Sequence, residues 1–265
     1  MVEFAFLSGL PRTGSTVLGT LLSQHPDLHP TRTSCVRDLL NYVKKFNLGE
    51  SPYFDTKDPN SPAWGMMRGM LYGAYEHVAE EVVIEKDRGW ASDVSLIRKL
   101  TGCEPRILSP VRPIPEIIAS FILISQKIGK QSKIEDELRL AGRESNAWSL
   151  SRVIWEKYIY ANYRVFKAGY EQDPDCFLLL EYDAIVNKPE ETMGTICKYL
   201  HIPTFTPGTT GLVNPNPEND AVYGMKGLHD VKPVLQRTSP PAWEVLGDDC
   251  YSWWVERNLE FWPRG

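Results

Sequence analysis

Little in this 265-residue sequence points toward metal or disulfide chemistry. Its five cysteines, Cys35, Cys103, Cys176, Cys197 and Cys250, are odd in number and scattered, with no Cys-x-x-Cys pair among them. Neither a zinc site nor a disulfide framework is indicated, and a reduced, cytoplasmic protein is the expectation. No apolar run approaches the length of a membrane-spanning helix. The opening Met1-Val2-Glu3-Phe4-Ala5-Phe6 lacks a basic region ahead of its apolar part, so it reads as a folded strand rather than a signal peptide. Surplus positive charge is also missing. The net charge is −5 and the pI near 5.6, which argues against broad nucleic-acid or anionic-membrane binding while leaving room for a local basic pocket. Repeats and low-complexity tracts are absent. With 42% hydrophobic and 24% charged residues the composition is ordinarily globular, and a single domain over residues 1–265 is expected.

One further absence is more specific. Phe6-Leu7-Ser8-Gly9-Leu10-Pro11-Arg12-Thr13-Gly14-Ser15-Thr16 has the frame of a phosphate-cradling loop, yet no lysine follows Gly14. In the ATP-type loop that lysine reaches the β- and γ-phosphates. Here Ser15 holds its place and the cation, Arg12, precedes Gly14. The loop still offers backbone N–H groups, hydroxyls and a positive helix end to an anion. It suits a phosphate or sulfate without being built for ATP hydrolysis.

Strand and helix patterns alternate along the chain. Glu3 to Leu7 reads as a buried strand and Gly14 to Ser23 as the following helix, stopped by His25-Pro26-Asp27. Helices are expected over Cys35 to Phe46, about Ala63 to Glu80, Ser92 to Leu100, the run after Arg112-Pro113, Asn146 to Tyr170, and Glu190 to Leu200 behind Pro189. Strands are expected at Val82 to Ile84, Arg106 to Val111 and Phe177 to Leu180. This alternation predicts a P-loop-type three-layer α/β/α fold with a central parallel sheet flanked by helices. Residues 47–62 read as an irregular loop. Residues 202–245, rich in Pro, Gly, Thr and Asn, read as an irregular lid or an acceptor-side loop. Trp243 to Trp262 returns to a helix-like pattern. The eight Trp residues suggest a sugar-stacking face only weakly, because helix-spaced aromatics usually fill cores.

Two later segments match the anion theme. A strand delivers Arg112 to its carboxyl edge, and Ser120 lies in the next helix; a guanidinium fork with a hydroxyl suits a phosphate. Another strand ends near Tyr182, whose ring at a sheet edge is placed to contact a purine. Taken singly, Arg112 also reads as a partner for Glu116, and Tyr182 as a rim residue.

In this order the three segments resemble the sulfotransferases that use 3′-phosphoadenosine 5′-phosphosulfate (PAPS). The resemblance covers residue 4 to about residue 200. Pro11, Arg12, Thr13, Gly14, Ser15 and Thr16 resemble the family's 5′-phosphosulfate loop. Arg112 and Ser120 resemble its 3′-phosphate element, and Tyr182 to Pro189 its late Tyr-containing segment. His25-Pro26-Asp27 and Glu85-Lys86-Asp87 are similar to the tyrosylprotein and heparan branches. The resemblance implies metal-independent sulfuryl transfer to a hydroxyl or amine on a small-molecule, carbohydrate or peptide acceptor. PAPS would be donor and 3′-phosphoadenosine 5′-phosphate (PAP) product. Lys86 and Arg12 would offset charge on the leaving oxygen. By the same analogy, Lys226 or Lys232 would close over the 3′-phosphate.

The sequence departs from the family over the general base. Thr33 stands where the tyrosylprotein branch has a Glu, and Arg88 where the cytosolic branch has a His. Asp38, one helical turn beyond Thr33, is the expected base, with His29 and His229 as alternatives. Two other readings remain at this point. One is a P-loop ATP-dependent small-molecule kinase using Mg²⁺ held by Glu85, Asp87 or Asp183, which the missing lysine disfavours. The other is a catalytically inactive nucleotide-binding homologue.

Overall fold

The computed structural model describes residues 2–45, 56–237 and 239–263. The chain enters through β1 (Glu3–Leu7), turns through the glycine loop into α1 (Ser15–Leu22), and returns as β2 (Leu28–Thr33). Helices α2 (Val36–Lys45) and α3 (Pro62–Gly73) precede β3 (Val82–Lys86) and α4 (Val94–Thr101). Strand β4 (Ile107–Val111) leads into the long α5 (Ile114–Ile128), then α6 (Lys133–Leu140) and α7 (Ala147–Ile154). After α8 (Tyr160–Gln172) come β5 (Phe177–Glu181), α9 (Tyr182–Asn187) and α10 (Pro189–Leu200). Two short helices, α11 (Ala242–Leu246) and α12 (Asp248–Glu256), follow the irregular segment.

The strands form one sheet in the order β2-β3-β1-β4-β5, with every pair parallel. Strand alternation explains the layers. Phe4 and Phe6 of β1 face one side and join a core with Trp64, Met67, Trp90, Ile97 and Ile118. Ala5 and Leu7 face the other and meet Leu18, Leu21, Leu22, Met193 and Ile196 of α1 and α10. Both faces of a parallel sheet are thus covered by apolar helices. The central β1 has β3 on one side and β4 on the other, so the strand order reverses beside it. Open parallel sheets bind ligands beyond the carboxyl ends of their strands at such a reversal.

Several local expectations need correction. β2 was not expected, because Leu28-His29-Pro30-Thr31-Arg32-Thr33 has neither an apolar run nor strict alternation. It pairs with β3 alone, and an edge strand tolerates Pro30 since one side needs no ladder hydrogen bond. Helix α3 ends at Gly73 rather than near Glu80. The expected long helix from Asn146 is interrupted by a π turn at Trp155–Ile159. Helix α6 was not assigned from sequence. Tyr182 begins a helix rather than a turn. Part of the loop expected at 47–62, with the end of the helix expected up to Phe46, lies outside the described residues.

Packing predicts one costly substitution away from the sheet edge. Gly169 of α8 lies so close to the turn after β3 that an added Cβ would sit 1.7 Å from the Ala91 carbonyl oxygen. Gly169→Ala is expected to destabilise by about 3 kcal/mol or more, because backbone and not a flexible side chain must move. Urea unfolding would measure it; an unchanged midpoint would show that α8 shifts freely.

Candidate anion-binding and transfer site

The glycine loop is anchored before it is shaped. At its root, the Ser8 hydroxyl donates to the Arg88 carbonyl at 2.8 Å and accepts from the Ala91 N–H at 3.0 Å. Those two bonds tie the end of β1 to the turn that follows β3. Further along, the Thr13 hydroxyl donates to the Leu10 carbonyl at 2.8 Å, and Pro11 is buried. Arg12 and Gly14 both adopt left-handed backbone, at φ 62° and 94°. Gly14 does so without steric cost, whereas a non-glycine residue held there is strained and is often found at functional sites. Helix α1 then starts at Ser15, its free N–H groups facing the loop.

The three segments expected to act together lie together. The Arg12 Nε–H donates to the Ser120 hydroxyl at 3.2 Å. Arg112 donates through Nη1 to the Arg12 carbonyl at 3.3 Å and through Nη2 to Glu116 at 3.1 Å. Its guanidinium stacks over the Tyr182 ring, 4.3 Å from the centroid. Tyr182 in turn packs on the loop, where a Cβ added to Gly14 would lie 2.7 Å from the ring. Arg12, Gly14, Ser15, Thr16, Arg112, Ser120 and Tyr182 line one cavity of about 600 Å³. Arg88, Lys127 and Lys232 also line it, so cations surround the space. Burial, with the Arg112 charge alongside, pushes the Arg12 guanidinium down to about 10. Two arginines this close are tolerable where an anion is expected between or beside them. The buried Nε–H of Arg112 has no hydrogen-bond partner among the described residues, which leaves donor capacity for an anion.

Gly14→Ala is expected to disrupt this arrangement twice over, by strain at positive φ and by collision with Tyr182. Anion affinity at this loop should fall at least tenfold, about 1.4 kcal/mol. Unchanged affinity would mean that the loop relaxes without cost.

Lys86 closes the end of β3, beside Leu7 in the sheet register. Its ammonium is 2.7 Å from Glu218, a buried carboxylate from the irregular segment. Glu218 also accepts from the Thr33 hydroxyl at 2.9 Å and the Thr33 N–H at 3.3 Å. Burial opposes the ionised form of Glu218, but the Lys86 charge and hydrogen bond, aided by His229 and Thr33, hold it down at about 2. Lys86 itself is lowered, by burial above all. A carboxylate from residue 218 therefore contacts Thr33, the residue at the position that resembles the tyrosylprotein branch's glutamate site. Sequence reasoning could not have found it, because the two residues lie in unrelated patterns far apart in the chain. Arg88, Lys127 and Asp220 were missed as well.

The irregular segment is pinned across the sheet edge at several points. Gln24 and Gly208 exchange hydrogen bonds of 2.7 and 3.1 Å. Asn216 donates to the Pro30 carbonyl at 2.7 Å. Arg12 donates to the Leu228 carbonyl, and Arg237 joins Asp183 and Glu116. Three candidate site residues, Asp38, Lys226 and His29, lie elsewhere. Asp38 on α2 has an exposed carboxylate that pairs with Arg37, and it lines neither the large cavity nor the smaller one beneath the loop. Lys226 is exposed and lines neither, whereas Lys232 reaches the large cavity. His29 pairs with Glu80 at 3.5 Å and also lines neither. Among the described residues no cluster of His, Cys, Asp and Glu is arranged to hold a metal ion, and no helix is long and apolar enough to cross a membrane.

With this geometry in hand, the chain can be set beside known proteins. No curated protein matches it in sequence. Among solved structures, it resembles the sulfotransferase domain from the curacin biosynthetic pathway, with a TM-score of 0.54 and 16% identity over 99% of each chain. At that identity the likeness speaks for the fold alone. Sulfotransferase STF1 from Mycobacterium tuberculosis H37Rv aligns at TM-score 0.48 and 13% identity, covering 93% of this chain and 77% of that one. A sulfotransferase from Alicyclobacillus acidocaldarius aligns at 0.45 and 16%, covering 81% and 87%. A sequence profile described as the sulfotransferase family matches residues 5–207, a span that runs from β1 through the loop, Lys86, Arg112 and Tyr182. The chain belongs to the sulfotransferase family, and it is a sulfuryl-transferring enzyme.

Proposed function

We propose that the sulfuryl donor is PAPS and that it is held in the cavity between the glycine loop and Tyr182. The observation that carries this reading is the convergence of Arg12, Arg112, Ser120 and Tyr182 on a single cavity. An adenylate with anions at both ends of its ribose needs two separated cationic grips and one aromatic contact. The loop and the start of α1, with Ser15 and Thr16, supply one grip. Arg112 and Ser120 supply the other, and Tyr182 the ring. When bound, that donor supplies an activated sulfuryl group on a phosphate leaving group. Lys86 and Arg12 lie at the loop end, where negative charge on the leaving oxygen would be offset. The acceptor is a hydroxyl or amine on a small molecule, carbohydrate or peptide.

The supporting chemistry comes from this chain's own side chains. Arg12 is held by Ser120 and the Leu228 carbonyl, and Arg112 by Glu116 and the Arg12 carbonyl, so their donor capacity is oriented before a ligand arrives. Arg237, bonded to Glu116 at 2.7 Å, shares that carboxylate with Arg112 and weakens its hold on Arg112's charge.

Calorimetric titration with PAP, with ATP as the comparison, tests the donor site without requiring the acceptor. PAP is expected to bind markedly tighter than ATP. Equal binding, or none, would remove the proposal. Arg12→Ala and Arg112→Ala should each weaken PAP by about 1.5–3 kcal/mol, the scale of a hydrogen bond to a charged group.

A further inference from the structure

We propose that His229 is the base that takes the acceptor's proton, and that Asp220 is the positioning residue that holds its ring in the accepting tautomer. This rests on the donor reading above. The sequence left the general base open among Asp38, His29 and His229, and the irregular segment carries the last of these.

One carboxylate grips His229 at two points. Asp220 Oδ1 lies 2.5 Å from the ring Nδ1, and Oδ2 accepts from the His229 backbone N–H at 3.0 Å. The Asp220 side chain is only 11% exposed and that of His229 only 9%, so the contact is not a transient surface pair. An ionised carboxylate accepts and cannot donate, so the ring carries a proton on Nδ1, and in the neutral ring the lone pair is then on Nε2. The same carboxylate fixing both backbone and ring sets where Nε2 points.

Nε2 faces the transfer end of the site. It lies 3.6 Å from Glu218, the carboxylate bound to Lys86. His229 lines the large cavity, and it also lines the small one beneath the loop together with Ser15, Lys86, Arg88 and Thr33. Ser15, Arg88 and His229 are shared by both spaces. An acceptor hydroxyl directed at the loop end of the large cavity would meet this imidazole, whereas Asp38 and His29 line neither space.

The groups facing the ring come from two sides. Asp220, Glu218 and Tyr223 lie on its own segment, with the Tyr223 ring 5.6 Å away. Lys86 and Arg88 come from the end of β3, and Arg12 binds the adjacent Leu228 carbonyl. Burial, the largest influence, lowers His229 below the ordinary histidine value, with Lys86 pulling the same way and Asp220 and Glu218 pulling back. That direction favours the neutral ring, the form able to accept a proton.

In the step, the acceptor oxygen forms a bond to sulfur as its proton passes to His229 Nε2. The bond between sulfur and the bridging phosphate oxygen breaks, and its electron pair stays on that phosphate. The imidazolium afterwards releases its proton to water.

The test uses the full chain and three readouts. The first is calorimetry with PAP, in which His229→Gln should bind like the wild type. If neither protein binds PAP, the donor reading fails; if only the variant loses binding, His229 is a ligand-holding residue and the base proposal fails. The second is nitrogen-15 NMR of the ring at pH 7, assigned by loss of the signal in His229→Gln. A neutral ring protonated at Nδ1 is expected; an imidazolium, or a proton on Nε2, would overturn the proposal whatever the acceptor. Asp220→Ala should mix the tautomers, and Asp220→Asn, which keeps an acceptor oxygen, should restore the Nδ1–H form. The third is turnover of phenols graded in acidity, from 4-nitrophenol to unsubstituted phenol. His229→Gln should lose roughly 10²–10⁴-fold on the weakly acidic phenol and less than tenfold on 4-nitrophenol, which ionises unaided. Equal losses across the series would sink the idea.

Discussion

Replacing Lys86 with alanine is expected to cut kcat by about 10²–10³-fold while leaving PAP affinity within a few-fold of the wild type. The ammonium is held at the carboxyl end of the central strands, 12% exposed, and its ion-pair partner is Glu218. A cation whose partner is already satisfied gains little from ground-state binding. It gains more as charge accumulates on the leaving phosphate oxygen, and an interaction that strengthens only then appears in kcat. The lost charge should also have a structural consequence. Glu218 would remain 6% exposed without its counterion, and breaking such a pair costs about 3–5 kcal/mol. K86A/E218Q should recover part of that stability without recovering turnover. Steady-state kinetics beside urea unfolding would separate the two effects. If K86A lowers PAP affinity as much as kcat, Lys86 holds the nucleotide in its ground state and has no special role in transfer.

Arg12, Arg112 and Tyr182, which could be read from sequence, share one property: each lies where a periodic pattern ends. Arg12 follows a strand, and Arg112 and Tyr182 each sit just past another. Local patterning locates the ends of strands, and a parallel sheet gathers those ends on one edge. That is why the loop, the second arginine and the aromatic ring could be grouped before any coordinates. Glu218, Asp220 and His229 have no such marker. They lie in a segment without helix or strand period, and its course is set by distant contacts: Asn216 to Pro30, Glu218 to Thr33, and Leu228 to Arg12. Asp38 illustrates the opposite error. It lies on a helix of the expected kind, one turn beyond the vacant base position, yet the helix presents its carboxylate to solvent and Arg37. Spacing gave its element and could not give its direction. β2 was overlooked for a related reason, since an edge strand with a proline carries little of the apolar signal that marks a central one.

Two glutamates on either side of Lys86 should give the protein stability profiles of opposite slope. Glu85, fully buried in β3, accepts from Ser34, from the Trp90 indole and from Tyr75 at 3.3 Å. Burial outweighs these bonds and pushes its carboxyl up to about 7 from an ordinary 4.5. A group whose native pKa is raised favours folding while protonated. Its contribution is fully present below pH 4.5 and is lost as pH climbs through 7, at about 1.4 kcal/mol per pH unit within that window. Glu218, held down at about 2, works the other way: its contribution is present above pH 4.5 and is lost as pH falls toward 2. Glu85→Gln keeps the shape and the accepting oxygen and removes the ionisation. Relative to wild type it should therefore gain stability as pH rises from 4.5 to 7, on the order of 3 kcal/mol by pH 8. Glu218→Gln should instead remove the loss seen below pH 4.5. Urea unfolding across this range would resolve both. A Glu85→Gln profile parallel to that of the wild type between pH 4.5 and 8 would show that Glu85 ionises at its ordinary value. In that case the hydrogen bonds from Ser34 and Trp90, and not burial, would govern this buried carboxylate beside the transfer site.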